Sequence, residues 1–295
     1  MLVLFGVARR RPDFGGASSE PATDWLKPAA ASGSVGFLGC NPVHGWRCVL
    51  AGIDPSDGEP FIAKLGLGHS AENIRREAGI LASIQGRFAG VVGSVSLDEA
   101  GTVQDGAGDW ALLRLTHLGN EGLEAVASPE VIGLLSKWML NEFSEVGGHA
   151  WASSLVDRVS ENAAPTDWHQ SIRRMSVRKA LVHGDFAVWN LRRTSEGPVA
   201  IDWEWAVEDG VAGIDLAHAL RQEAVMIRGF DAKRALDWIL NSARRGEMKA
   251  YLDSAGWRDG LEDWLRLGLL HSHFHTLNDS SELLGELGIN VSSYE

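Results

Sequence analysis

Apolar positions change their spacing once along this chain. From about residue 33 they come in short, alternating runs, and after residue 120 they recur every three to four residues. The first regime predicts strands. "WRCVLAGI" (46–53), the turn "DPSDGEP" and "FIAKLG" (61–66) read as a hairpin. "VVGSVSLDEAGTV" and "WALLRLTHLG" (110–119) read as two further strands. Between the hairpin and these lies "SAENIRREAGILASIQG" (70–86), where Ile74, Ala78, Leu81 and Ile84 fall at helical spacing. Ser70, with Asn73 three residues on, is the expected cap.

The second regime predicts helices. In "SPEVIGLLSKWMLNEF" (128–143), Val131, Leu134, Leu135 and Trp138 form one face, with Pro129 just after a Ser cap. A helix is expected near 165–178, and three helical patterns cover 214–228, 231–254 and 258–276. Between them "LRRTSEGPVAIDWEWA" reads as a short hairpin turning at Ser195–Pro198. The layout is a small strand-rich lobe with one helix, a hinge near 115–120 and a larger helical lobe. We divide it as an N-terminal arm (1–32, rich in Pro, Gly, Ser and Ala), an N-lobe (33–117) and a C-lobe (118–295).

Composition narrows the partners. The chain has 295 residues, 45% of them hydrophobic, which is ample for a folded core. No run of about 18 apolar residues occurs, so no membrane partner is expected. The start of the chain is apolar then basic, the reverse of a secretory signal. Cys40 and Cys48, the two cysteines, are expected as reduced thiols of a cytoplasmic protein. With 27 basic against 39 acidic residues the net charge is −12, which does not attract nucleic acid.

The chemistry concentrates in "LVHGDFAVWN" (181–190). An apolar run ends at Val182, Gly184 allows a tight turn, Asp185 stands at the loop tip, and Asn190 closes the loop. Asp202, in "VAIDWEW", ends a second apolar run after the hairpin. Two adjacent strand ends would bring Asp185, Asn190 and Asp202 into one site. Two carboxylates and an amide oxygen are hard ligands that suit Mg²⁺ beside phosphate oxygens and water. A carboxylate left off the metal can take a proton from a hydroxyl nucleophile. Phosphoryl transfer needs this set.

"HGDFAVWN" followed by "VAIDWEWAVEDGVAGIDLA" resembles the aminoglycoside phosphotransferase and choline kinase-like families. The matching positions are His183, Gly184, Asp185, Asn190, Ile201, Asp202, Gly210, Asp215, Leu216 and Ala217. The resemblance implies an α+β, two-lobed protein-kinase-like fold: a small β-rich N-lobe with one helix and a larger, mainly α-helical C-lobe. It implies an enzyme, a kinase that moves the γ-phosphate of ATP to a hydroxyl of a small molecule such as an amino alcohol, aminoglycoside or sugar. By the same resemblance Asp185 is the catalytic base, and Asn190 and Asp202 hold Mg²⁺. His183 shapes the loop without carrying a proton, and Asp215 braces the loop from the next helix or simply caps that helix. Lys64 would reach the nucleotide phosphates, with Glu77 pairing to it. "GCNPVHGW" (39–46) is the expected nucleotide-covering turn, departing from the glycine loop of protein kinases.

Other residues stay open. Glu204 would share a strand side with Asp202, as an ion-paired or solvated residue or with a water-mediated reach to the metal. Trp189, Trp203 and Trp205 are expected as packing or as a wall of the acceptor pocket. Glu204 and Glu208 with Trp203 and Trp205, and Glu262 and Asp263 with Trp264, would suit a cationic or sugar-like acceptor. "HSHFH" (271–275) sets His271 and His275 four apart, as zinc sites do, yet further ligands are missing. The alternative to an enzyme is a pseudokinase that keeps the fold as a binding or regulatory protein.

Overall fold

A computed structural model describes residues 35–41, 47–53, 58–91, 95–102, 109–118, 121–123, 125–274 and 279–291. The expected N-terminal arm, His275 and most of the expected nucleotide-covering turn (42–46) lie outside the described residues.

The small lobe is an antiparallel sheet of β1 (Val35–Asn41), β2 (Arg47–Ile53), β3 (Pro60–Leu67), β4 (Val95–Thr102) and β5 (Asp109–Thr116). Their order across the sheet is β1-β2-β3-β5-β4. Buried apolar residues lie on both faces of the sheet. Cys48, Leu50, Phe61, Ala63, Leu65 and Leu112 pack on one. On the other, Ala111, Leu113 and Leu115 meet Ile74, Ala78, Leu81 and Ile84 of helix α1 (His69–Ile84). Ser70 does not cap this helix. It lies inside the first turn, and Gly68 at φ 57 is the capping position, without a side-chain bond. The chain leaves β3 through that glycine too tightly for a capping side chain to precede the helix.

The large lobe begins with α2 (Pro129–Trp138), whose Ser128 hydroxyl accepts from the Val131 N–H. The helical pattern was expected to run to 143, but the chain leaves it at Met139 as β6 (Met139–Glu145). Strand β6 pairs with β7 (Ser176–Val182), which pairs in turn with β10 (Val207–Val211). Long-range pairing overrides local helix preference here. Trp138, fully buried and donating its indole N–H to the Ala89 carbonyl at 2.7 Å, ends the apolar face. Next come α3 (Ala150–Asp157) and α4 (Trp168–Arg174). The second is shorter than the expected 165–178 helix, because the chain is already strand by Ser176.

The predicted hairpin forms as β8 (Leu191–Thr194) and β9 (Gly197–Ala200). The wholly buried α5 (Ile214–Gln222) follows and runs into a wide π-helical turn, Glu223–Ile227. The pattern over 231–254 splits into α6 (Ala232–Ala243) and α7 (Gly246–Ala255), because Arg245 takes an extended conformation between them. Then come α8 (Leu261–Phe274) and α9 (Ser281–Glu286). Helices α5 and α8 touch closely: a Cβ on Gly268 would lie 2.2 Å from that of Ala217. Among the described residues no helix is long and apolar enough to cross a membrane.

Candidate active site

The loop after β7 is tied from three sides. His183 is fully buried, and its Nε2–H donates to the Ile201 carbonyl at 2.8 Å. Its Nδ1 accepts from the Asp185 N–H at 3.3 Å. Burial holds the ring below the usual histidine range, so it serves as a neutral strut. Asp215, in the first turn of α5, accepts the N–H of His183 at 2.7 Å and that of Gly184 at 3.0 Å. From α8, His271 Nε2–H donates to the Gly184 carbonyl at 2.7 Å. Gly184 itself sits at φ 87, and a Cβ there would lie 2.3 Å from the Trp205 carbonyl oxygen. Only glycine fits that turn.

This bracing presents Asp185. Asn190 Nδ2 donates to the Asp185 carbonyl at 2.8 Å and to its Oδ2 at 3.1 Å. His218, from α5, approaches Oδ1 at 3.1 Å. Burial pushes the Asp185 carboxyl up, but the His218 hydrogen bond and charge outweigh it, leaving the group below its ordinary value.

Asp202 comes alongside because the Ile201 N–H donates to the Asn190 carbonyl at 2.9 Å. Its backbone takes φ 70, unusual for a residue with a side chain. Asp202 Oδ1 accepts from Lys64 Nζ at 2.7 Å and from Arg47 at 3.0 Å. Burial raises this carboxyl, yet the two cations win and hold it well below the carboxylate range. Lys64 also reaches both oxygens of Glu77, at 2.5 and 2.7 Å. Burial lowers its pKa, but Glu77 and Asp202 outweigh that and raise it. Burial raises the Glu77 carboxyl too, and the ammonium against both oxygens opposes that. Glu77 is further fixed by the Trp203 N–H at 3.2 Å. The structure therefore joins Lys64, Glu77 and Asp202 in one contact network, and Asp185 and Asn190 in another beside it.

Two members of the site escaped the sequence reading. Arg47 bridges Asp202 and Glu204, the latter at 2.6 Å. The signal was available: Val49 pairs across the sheet with Lys64, so Arg47, two residues earlier on β2, faces the same side. His218 lies three residues after Asp215 on one helix, hence on the same face. Glu204 is ion-paired as expected, but from a turn; residues 201–206 form no strand.

The acceptor walls expected from sequence are occupied otherwise. Glu208 holds Arg87 and Ser83, at 2.7 and 2.5 Å. Asp263 accepts from Arg266 at 2.8 Å and from Trp168 at 3.0 Å, and Glu262 accepts from Arg266 at 3.3 Å. Trp264 and Trp203 are buried core. Trp189, on the loop between Asp185 and Asn190, is 43% exposed. No group of three or more His, Cys, Asp or Glu side chains among the described residues is arranged to hold a metal, so His271 and His273 form no zinc site there.

Among solved structures, an aminoglycoside-3'-phosphotransferase of type VIII superposes on the fold of this chain with a TM-score of 0.51 over 84% of this chain and 97% of that one. The chain has the aminoglycoside phosphotransferase fold. At 16% sequence identity the likeness is one of fold. A spectinomycin phosphotransferase solved with ADP and spectinomycin matches at a TM-score of 0.43 and 12% identity, over 81% of this chain and 80% of that one. No family model and no curated protein matches the sequence. The two-lobed α+β architecture expected of a phosphotransferase-like kinase is thus present.

Proposed function

We propose that the protein transfers the γ-phosphate of ATP to a hydroxyl of a small molecule. The observation that carries this reading is the chain of contacts from Glu77 through Lys64 to Asp202, set beside Asp185 and Asn190. A buried Lys held by a helical Glu, beside a carboxylate able to take a metal, is the arrangement with which kinase-type phosphoryl transfer holds nucleotide phosphates. Lys64 would hold the phosphates and Glu77 would orient Lys64. Asp185 would take the acceptor's hydroxyl proton as its oxygen bonds to the γ-phosphorus and the bond to the ADP oxygen breaks.

The residues fit Mg²⁺. The cations on Asp202 use Oδ1, and Asn190 bonds through Nδ2. That leaves Asp202 Oδ2 and Asn190 Oδ1, two hard oxygens, the number of protein ligands Mg²⁺ takes beside phosphate and water. When bound, the ion would neutralise charge on the phosphates. ATP as co-substrate fits the cytoplasm, and we set the lobe boundary near residue 118.

A second reading draws on Arg47. If it stays on Asp202 when nucleotide binds, its charge opposes a metal on the same carboxylate, and the protein is a kinase-like binding module without turnover. One experiment separates the two. Calorimetry with ATP, with and without Mg²⁺, is followed by a screen of aminoglycosides, amino alcohols, sugars and nucleosides with γ-labelled ATP. Label on an acceptor, lost in Asp185→Asn with ATP affinity intact, is the expected result. Mg²⁺-independent binding with no transfer to any acceptor selects the binding module, and no ATP binding by folded protein overturns both.

A further inference from the structure

The histidines of α8 do not gather a metal among the described residues, yet this stretch points at the catalytic loop. Ser272 Oγ donates to the Gly268 carbonyl at 3.0 Å, so its oxygen accepts from His218 Nδ1–H at 2.8 Å. On the other side of the ring, His218 Nε2 faces Asp185 Oδ1 at 3.1 Å. An ionised carboxylate only accepts, so Nε2 must bring the proton. The competing contact, Gln222 Nε2 at 3.4 Å, is longer and lacks the charge, and the bond to Asp185 prevails. The Gln222 orientation is set by Arg221, which donates to its Oε1 at 2.9 Å.

The placement is costly. His218 is fully buried, where an imidazole is tolerated only if its nitrogens are bonded. A leucine would fill the same volume without that demand. The close approach of Gly268 to Ala217 brings Ser272, one turn along α8, against His218, the next residue along α5.

We propose that His218 is a positioning residue for Asp185. Its Nε2–H holds Oδ1 while Asn190 Nδ2 holds Oδ2, so the plane of the carboxylate is set before an acceptor arrives. Ser272 fixes the ring, and His271 pins the backbone of the same loop through Gly184. This inference rests on the reading of Asp185 as the base.

Glutamine at 218 places an N–H near Nε2 and keeps the bond to Asp185. Asparagine places one near Nδ1 and keeps only Ser272, and leucine keeps neither. The probe is MgATP with water as acceptor, read as release of labelled phosphate. His218→Asn and His218→Leu should lose roughly 10–100-fold in kcat with KM for ATP unchanged, the range expected when a reacting group is misplaced. His218→Gln should recover most of that loss. Equal kcat in all four proteins, or losses that follow thermal stability alone, would overturn the proposal. Proton–nitrogen correlation NMR of the wild-type ring gives a readout independent of turnover and of variant folding. A proton on His218 Nε2 is expected, with its signal moved by Asp185→Asn; an Nε2 without a proton overturns the assignment. If Asp185→Asn keeps full turnover while the Nε2 signal moves, Asp185 is not the base and the hydrogen bond stands. If Asp185→Asn is inactive and His218→Leu is not, the base reading stands and this one fails.

Discussion

Replacing Asp215 by asparagine exchanges one oxygen for an NH₂ group beneath the loop that carries Asp185, and the response should depend on pH in an unusual direction. Asp215 is 3% exposed and accepts two backbone N–H groups, one on each oxygen. The asparagine oxygen can keep the shorter bond, to His183, which leaves an NH₂ group facing the Gly184 N–H. A buried donor without an acceptor costs about 1–3 kcal/mol. Against this stands the ionisation of the native carboxyl. Burial pushes it up to about 7 in spite of the two N–H bonds, with the Asp185 charge adding to the rise. In the unfolded chain the same group titrates near 3.8. The folded state therefore binds this proton more tightly. The stability it confers is fully present below 3.8 and is lost as pH rises to about 7. From about pH 5 to about pH 8 the native protein should lose about 3 kcal/mol through this group, at about 1.4 kcal/mol per pH unit up to 7. Asparagine has no such proton. The native protein should thus be more stable than Asp215→Asn by about 1–3 kcal/mol near pH 5, and the gap should close or reverse near pH 8. Urea unfolding followed by tryptophan fluorescence at the two pH values measures it. A gap that widens with pH would refute the reasoning, because it would mean the N–H bonds outweigh burial and keep the carboxylate ionised throughout.

Two further outcomes follow from the same geometry. Gly184→Ala must move either the loop or Trp205, since its Cβ would lie 2.3 Å from the Trp205 carbonyl at a backbone φ of 87; a loss of roughly 1–3 kcal/mol in unfolding free energy is expected, and wild-type stability would show that the loop is not held there. Arg47→Ala removes a cation that competes for Asp202, so the Mg²⁺ needed for half-maximal ATP binding should fall about five-fold, the equivalent of about 1 kcal/mol for a partly buried pair; a rise, measured by calorimetric titration, would mean that Arg47 moves onto the phosphates instead.

The sequence by itself determined the parts of this protein that rest on local pattern. Alternation over 46–53 and 61–66 specified a hairpin with Lys64 on one face, and the spacing of Ile74, Ala78, Leu81 and Ile84 specified the helix that carries Glu77 to it. Asp185, Asn190 and Asp202 were legible because a tight turn, a loop closure and the end of an apolar run each demand particular residue types at short separations, whereas Asp215 was suggested only by the family resemblance. What tertiary structure decided involves partners far apart in the chain. Met139–Glu145 carries a helical pattern and becomes a strand, since an open edge of β7 offers it hydrogen bonds that local spacing cannot announce. Arg47 meets Asp202 across 155 positions, and His218 meets Ser272 across 54. A lone arginine or histidine carries no periodicity, so its role stays invisible until the lobes and helices that bring its partners close have folded. The stretch around His271 shows the same limit: nothing in its local spacing announces that packing of α8 against α5 sets His271 on the Gly184 carbonyl and Ser272 on His218.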